Sequence, residues 1–129
     1  MTRKRVLFVC VENANRSQIA EAFARRLGGD SVEALSAGSR PSGTINPKAV
    51  RAMAELGYDL GTHESKSLAE VTGAFDAVVT MGCGDECPCI PAQRREDWAL
   101  PDPKHLEGDD YRAVRDEIGR RVRALLESL

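Results

Sequence analysis

The sequence predicts an α/β fold: a single-domain, doubly wound, four-stranded parallel sheet flanked by helices. Two observations carry this expectation. Short apolar and β-branched runs alternate with stretches of helical periodicity, the pattern of strand–helix–strand units. Such units pair their strands in parallel through right-handed crossovers. The chain of 129 residues, 42% of them hydrophobic, also suits one core, so residues 1–129 read as one domain without repeat or linker.

The first strand is expected over residues 5–9 and the first helix over 16–27, with Ile19, Ala20, Phe23, Ala24 and Leu27 on one face. Arg25 and Arg26 suit the negative end of that helix, and Gly28-Gly29 stops it. A second strand follows over 32–37, with Val32, Ala34 and Leu35 as core candidates. Asn46-Pro47 reads as an N-cap with proline at the first helical position, opening a helix to residue 56 that buries Val50, Met53 and Ala54. Residues 58–66 read as irregular. Ser67 and Glu70 have capping-box spacing, so a short helix begins there. Residues 75–81 are apolar enough for a central strand. A short edge strand is expected over 96–99, with Trp98 covering the sheet edge. The last helix spans 110–127, with Tyr111, Val114, Ile118, Val122 and Leu125 as its core stripe and its arginines on a solvated face.

Composition excludes several classes of function. A formal net charge of −2 and the lack of a long basic tract argue against nucleic-acid binding. No apolar run approaches the roughly 20 residues needed to span a bilayer, so no membrane partner is expected. The basic start Met1-Thr2-Arg3-Lys4-Arg5 precedes an apolar run too short for a signal peptide. A cytoplasmic, monomeric protein is the expectation. In such a compartment Cys10, Cys83, Cys87 and Cys89 are not structural disulfides, which leaves redox catalysis or metal binding.

The stretch Cys10-Val11-Glu12-Asn13-Ala14-Asn15-Arg16-Ser17 lies between a strand and a helix. A turn there presents backbone N–H groups to a concave site and ends at a helix N-terminus; both favour an oxyanion. Glu12, Asn13, Ala14, Asn15, Arg16 and Ser17 are the candidate oxyanion-binding residues. Arg16 can hold an anion through two parallel hydrogen bonds. The same electropositive surroundings favour a thiolate at Cys10, to which Ser17 can donate a hydrogen bond. Asn13 is suited to a left-handed backbone angle. The competing reading is a small buried cysteine with a surface arginine nearby. The crevice at the carboxyl ends of parallel strands favours an active site.

Cys83 follows the third strand and so falls at the same end of the sheet as Cys10, between Gly82 and Gly84. A second thiol near a reactive thiolate suggests a disulfide relay, and Cys87 is placed to resolve it. Asp102 stands between Pro101 and Pro103, which restrict its backbone.

Cys10, Asn13, Arg16 and Ser17 together resemble the signature of the low-molecular-weight protein tyrosine phosphatase superfamily. That family's late Asp-Pro supplies a general acid, a role the resemblance gives to Asp102. Two departures disfavour aryl phosphates: Glu12 replaces the usual Gly, and Lys104-His105 follow the Asp-Pro where phosphatases carry Tyr. Ser36-Ala37-Gly38, Asn46-Pro47-Lys48-Ala49, Val78-Val79-Thr80-Met81, Cys87-Pro88 and Val114-Arg115-Asp116-Glu117-Ile118 narrow the resemblance to the thioredoxin-coupled arsenate reductases. This branch implies reduction of arsenate to arsenite, with Cys10 as nucleophile, a relay through Cys83 and Cys87, and thioredoxin as electron donor. Cys89 has no clear counterpart and can substitute for Cys87. The Met81-to-Asp85 loop also resembles the mycothiol-coupled reductases. Some members bind a monovalent cation through positions matching Asn13, Glu21 and Ser36. Lys66 is placed to fill that role here, so no cofactor and no metal is expected to be required. The alternatives are a phosphatase using Cys10, Arg16 and Asp102 alone, and a zinc-binding module of Cys83, Cys87, Cys89 and His105. His63 reads as a local hydrogen-bonding residue.

Overall fold

A computed structural model describes residues 3–81 and 90–129. Four strands form one parallel sheet in the order β2-β1-β3-β4: β1 (Lys4–Cys10), β2 (Val32–Gly38), β3 (Phe75–Thr80) and β4 (Ala92–Asp97). Among the described residues three α-helices accompany them: α1 (Arg16–Gly28), α2 (Pro47–Ala54) and α3 (Gly108–Ser128). Pairing Val9 with both Ala37 and Thr80 aligns the carboxyl ends of β1, β2 and β3. Cys10 therefore ends an inner strand at the edge where a crevice forms.

Alternation along β1 divides the core. Val6, Phe8 and Cys10 join α1, α2 and α3 in one cluster, which takes the whole expected stripe of α3. Leu7 and Val9 face the other side with Ala37, Phe75 and Val78, under Leu68 and Val71. Leu35 belongs to this second side. Trp98 is buried against Phe8, with ring centroids 6.0 Å apart, so it packs into the core as well as closing the edge. Among the described residues no helix is long and apolar enough to cross a membrane.

Several expectations shift. The edge strand is residues 92–97, earlier than the expected 96–99. It pairs in parallel with β3, from Phe75 with Ala92 to Thr80 with Asp97, and an exposed edge, with residues alternately half-buried and exposed, tolerates its charge. α2 stops at Ala54, which is exposed. Gly57 at φ 80° lets the Tyr58 N–H reach back to the Met53 carbonyl and close the end. Residues 60–62 form a 3-10 turn rather than irregular chain. Leu27 is 40% exposed, at the rim of a groove that Leu126 and Leu129 line. Arg115 is buried, not solvated: it donates to the Ala52 carbonyl (2.9 Å) and to Glu55 (2.7 Å). The Asn46 cap and the Ser67–Glu70 capping box form as expected, the latter opening a 3-10 turn.

Candidate active site

Residues 11–15 form the loop from β1 into α1, and its carbonyls are held outward. Backbone N–H groups of Arg40, Ser42 and Asn46 donate to the carbonyls of Val11 (2.9 Å), Glu12 (3.0 Å) and Ala14 (3.1 Å). Three of the loop's carbonyls are thus taken up by the neighbouring segment. Asn15 is the N-cap residue of α1, yet its side chain caps nothing. Its Oδ1 instead accepts from the Tyr111 hydroxyl of α3 (2.8 Å). The first-turn N–H groups of α1 therefore remain open to an anion.

The resulting cavity, about 250 Å³, is lined by Cys10, Val11, Glu12, Ala14, Asn15, Arg16 and Asp102. Cys10 lies at its base, 4% exposed. Its sulfur is 2.9 Å from the Ser17 hydroxyl. Asn13 Nδ2 donates to that hydroxyl (2.7 Å), so the Ser17 hydrogen is free to point at sulfur. Asn13 has φ 51°, the left-handed angle expected of it. Arg16 Nη1 donates to the Met81 carbonyl (2.7 Å) and the Leu100 carbonyl (2.8 Å). One guanidinium thus joins the oxyanion loop, the end of β3 and the segment leading to Asp102. Asp102 caps a 3-10 turn, Pro103–His105, by accepting from the Lys104 N–H (3.0 Å).

The structure brings Cys10, Glu12, Ala14, Asn15, Arg16 and Asp102 to one cavity, while Ser17 and Asn13 are buried behind it, Ser17 against the Cys10 sulfur. Cys83, Cys87 and Cys89 lie outside the described residues. Met81, two positions before Cys83, donates its N–H to the Val9 carbonyl beside Cys10 (3.0 Å). Among the described residues no group of three or more His, Cys, Asp or Glu gathers as a metal site, and His105 is exposed.

The positions expected to hold a cation have other partners. Ser36 donates to Glu21 Oε1 (2.6 Å), and Arg25 pairs with Glu21 Oε2 (2.8 Å). Asn13 Oδ1 accepts from Gln18 (2.9 Å) and from the backbone N–H of Lys66 (2.9 Å). It is therefore the main chain of Lys66 that meets Asn13. Among the described residues no buried side-chain nitrogen or oxygen lacks a hydrogen-bond partner, and Glu21, Ser36 and Asn13 bond to one another or to neighbouring groups.

Sequence reasoning missed the layer beneath the loop. Gln18 donates to the Asn13 and Glu64 carbonyls (3.0 and 2.9 Å), and its Oε1 accepts from His63 Nδ1 (3.0 Å). Tyr58 OH closes the chain on His63 Nε2 (2.7 Å). With the Gln18 amide nitrogen donating to carbonyls, Nδ1 of His63 is the donor to Gln18, and in the neutral ring Nε2 accepts from the Tyr58 hydroxyl. Burial pushes its pKa below the ordinary value, against the pull of Glu21. Tyr111 read as a core residue, and the need of a buried phenol for a partner was the only available signal.

The model of the family described as low molecular weight phosphotyrosine protein phosphatase matches residues 5–129. The chain belongs to this family. Within it, an arsenate reductase of Halalkalibacterium halodurans is 38% identical, with 99% of each chain covered. A solved arsenate reductase in the phosphate binding state superposes with a TM-score of 0.88 at 33% identity, covering 97% of this chain and 98% of the other. A thioredoxin-dependent arsenate reductase of Corynebacterium glutamicum gives a TM-score of 0.80 at 37% identity, covering 98% of this chain and 62% of the other.

Proposed function

We propose that this family member is an arsenate reductase that converts arsenate to arsenite through Cys10 and an intramolecular thiol relay. The observation that carries the reading is the loop with outward-held carbonyls, closed by an uncapped helix N-terminus over the Cys10–Ser17 pair. Such a cradle suits a tetrahedral oxyanion, arsenate or phosphate. The similarity to arsenate reductases supports arsenate as the productive one.

Cys10 sulfur attacks arsenic in line. An As–S bond forms and hydroxide leaves, taking a proton from Asp102 to depart as water. Arg16 and the loop amides hold the remaining oxygens with preorganised donors. Cys83 thiolate then attacks the Cys10 sulfur. The S–S bond forms as the As–S bond breaks, its electron pair passes to arsenic, and arsenite leaves. Cys87 attacks Cys83, freeing Cys10 as thiolate and leaving a Cys83–Cys87 disulfide. Thioredoxin reduces that bond by dithiol exchange. No cation is required, and the protein acts as a cytoplasmic monomer.

Arsenate-dependent oxidation of thioredoxin tests this reading, followed by mass mapping of disulfides after one turnover. Cys10→Ser is expected to abolish turnover, and Cys87→Ser to trap a Cys10–Cys83 disulfide. Normal cycling of the Cys87→Ser variant transfers the resolving role to Cys89. Turnover only with a mycothiol-type donor replaces thioredoxin in the last step. Hydrolysis of aryl phosphate without arsenate turnover overturns the reading in favour of a phosphatase.

A further inference from the structure

Glu12 lines the cavity, and Lys104, two positions after the lining residue Asp102, meets it from 92 positions away in the chain. Lys104 Nζ lies 2.9 Å from Glu12 Oε1 and 3.2 Å from Oε2, so one ammonium grips both carboxylate oxygens. The pair is part-exposed, with side-chain exposures of 46% and 38%, which puts it on the rim. Glu12 lines the cavity together with Asp102, and the Lys104 N–H is itself held by Asp102.

Both ends of this bridge are anchored through their main chains. The Glu12 carbonyl accepts from the Ser42 N–H (3.0 Å) and the Ser65 hydroxyl (3.1 Å). The Lys104 carbonyl accepts from Lys48 Nζ (3.1 Å). A closed circuit therefore runs from the oxyanion loop through two side chains to the turn that carries Asp102. A bare oxyanion needs only the floor of the cavity. A phosphate monoester must also find room for its organic group beside the lining, where Glu12 is held by Lys104.

We propose that the Glu12–Lys104 pair is a selectivity strap that admits free tetrahedral oxyanions to Cys10 and rejects phosphate monoesters. The inference rests on the arsenate-reductase reading above and adds the group that sets its substrate range. The carboxylate carries a second consequence. Paired, its charge is balanced by the ammonium; unpaired, it repels arsenate and monoester alike, which lowers both rates but not their ratio. Lys104 accordingly has its pKa raised by the hydrogen bond and charge of Glu12.

The rejected reaction is ester hydrolysis at the same sulfur. Cys10 attacks phosphorus, the aryl oxide departs with a proton from Asp102, and water then cleaves the P–S bond, returning the proton to Asp102 and releasing phosphate. The readout is the ratio of aryl phosphate hydrolysis to arsenate reduction, each as kcat/KM. Glu12→Gln and Lys104→Met break the ion pair with little change of bulk. Each is expected to raise the ratio about fivefold, the upper range for an exposed ion pair. The double variant is expected to raise it no further, since the two side chains act as one unit. Added salt raises the ratio in the unmodified protein, because it screens an exposed pair, and leaves it flat in Lys104→Met. A ratio unchanged in both single variants, while arsenate reduction persists, overturns the strap alone. An unmodified protein inert to arsenate overturns the reading beneath it instead.

Discussion

The Tyr111 hydroxyl of α3 donates to the Asn15 side chain at the head of α1, across 96 positions of sequence. The bond diverts Asn15 from its ordinary capping task, because an oxygen held by a phenol does not turn back on its own helix. Tyr111→Phe removes the donor and leaves a buried acceptor. The expected cost is about 1–3 kcal/mol of stability, seen as a fall of several degrees in the unfolding midpoint. Released Asn15 then competes with the oxyanion for the first N–H groups of α1. KM for arsenate is expected to rise severalfold, with kcat less affected. A variant with lowered stability and unchanged KM would limit Tyr111 to a packing role.

Gly38 ends β2 directly against the oxyanion loop. A Cβ there would lie 2.4 Å from the Val11 carbonyl, 2.9 Å from that of Cys10 and 3.0 Å from the Asn13 nitrogen. All three are backbone atoms of residues 10–13, at the end of β1 and in the loop, so no flexible side chain can yield to it. Gly38→Ala must push the loop aside. Misplacement of a reacting group on the order of 1 Å costs roughly 10²-fold in rate. The expected result is a loss of about that size in kcat/KM with unaltered secondary structure by circular dichroism. Full activity in the alanine variant would mean that the loop tolerates such a shift.

Arg16 performs two tasks with one planar group. Nη1 ties the Met81 and Leu100 carbonyls, and the guanidinium lines the cavity where a second pair of donors can meet an anion. A lysine has one nitrogen and cannot do both. Arg16→Lys is expected to lower kcat/KM by about 10²–10³-fold, the usual loss for a key anion-stabilising donor. Phosphate should also cease to protect Cys10 from alkylation by iodoacetamide. Retained protection would move oxyanion binding onto the loop amides alone.

The parts of this site written in local sequence were legible. Cys10, Asn13, Arg16 and Ser17 occupy one turn between a strand and a helix, and strand–helix alternation alone implied the sheet that positions them. Glu12 and Lys104 were each visible as departures from the family pattern. Their contact was not, because 92 residues separate them and nothing in local spacing brings a loop and a turn together. The buried chain from Gln18 through His63 to Tyr58 was hidden for the same reason. Arg115 was misplaced on a solvated face because the acceptors that make its burial tolerable, the Ala52 carbonyl and Glu55, belong to the α2 region. β4 was shifted because an exposed edge tolerates charge, which blurs its strand signal.

His63 makes the protein's stability depend on pH in a defined window. Its folded-state pKa is pushed below 6.5 by burial, and the folded network uses the neutral ring. As pH falls through 6.5 the unfolded chain takes up a proton first. The contribution of His63 is thus fully present above 6.5 and is lost progressively below it, down to the lowered folded value. Glu55 titrates in a separate, more acidic window. Hydrogen bonds from Arg112 and Arg115 pull its pKa down to about 2, so its contribution holds above 4.5 and fades below. The urea midpoint is expected to drop between about pH 7 and about pH 5.5, before carboxylates contribute strongly. His63→Asn lowers the midpoint overall but flattens that segment of the curve, since asparagine does not titrate. A slope equally steep in the variant would assign the window to a different group and remove His63 from the account.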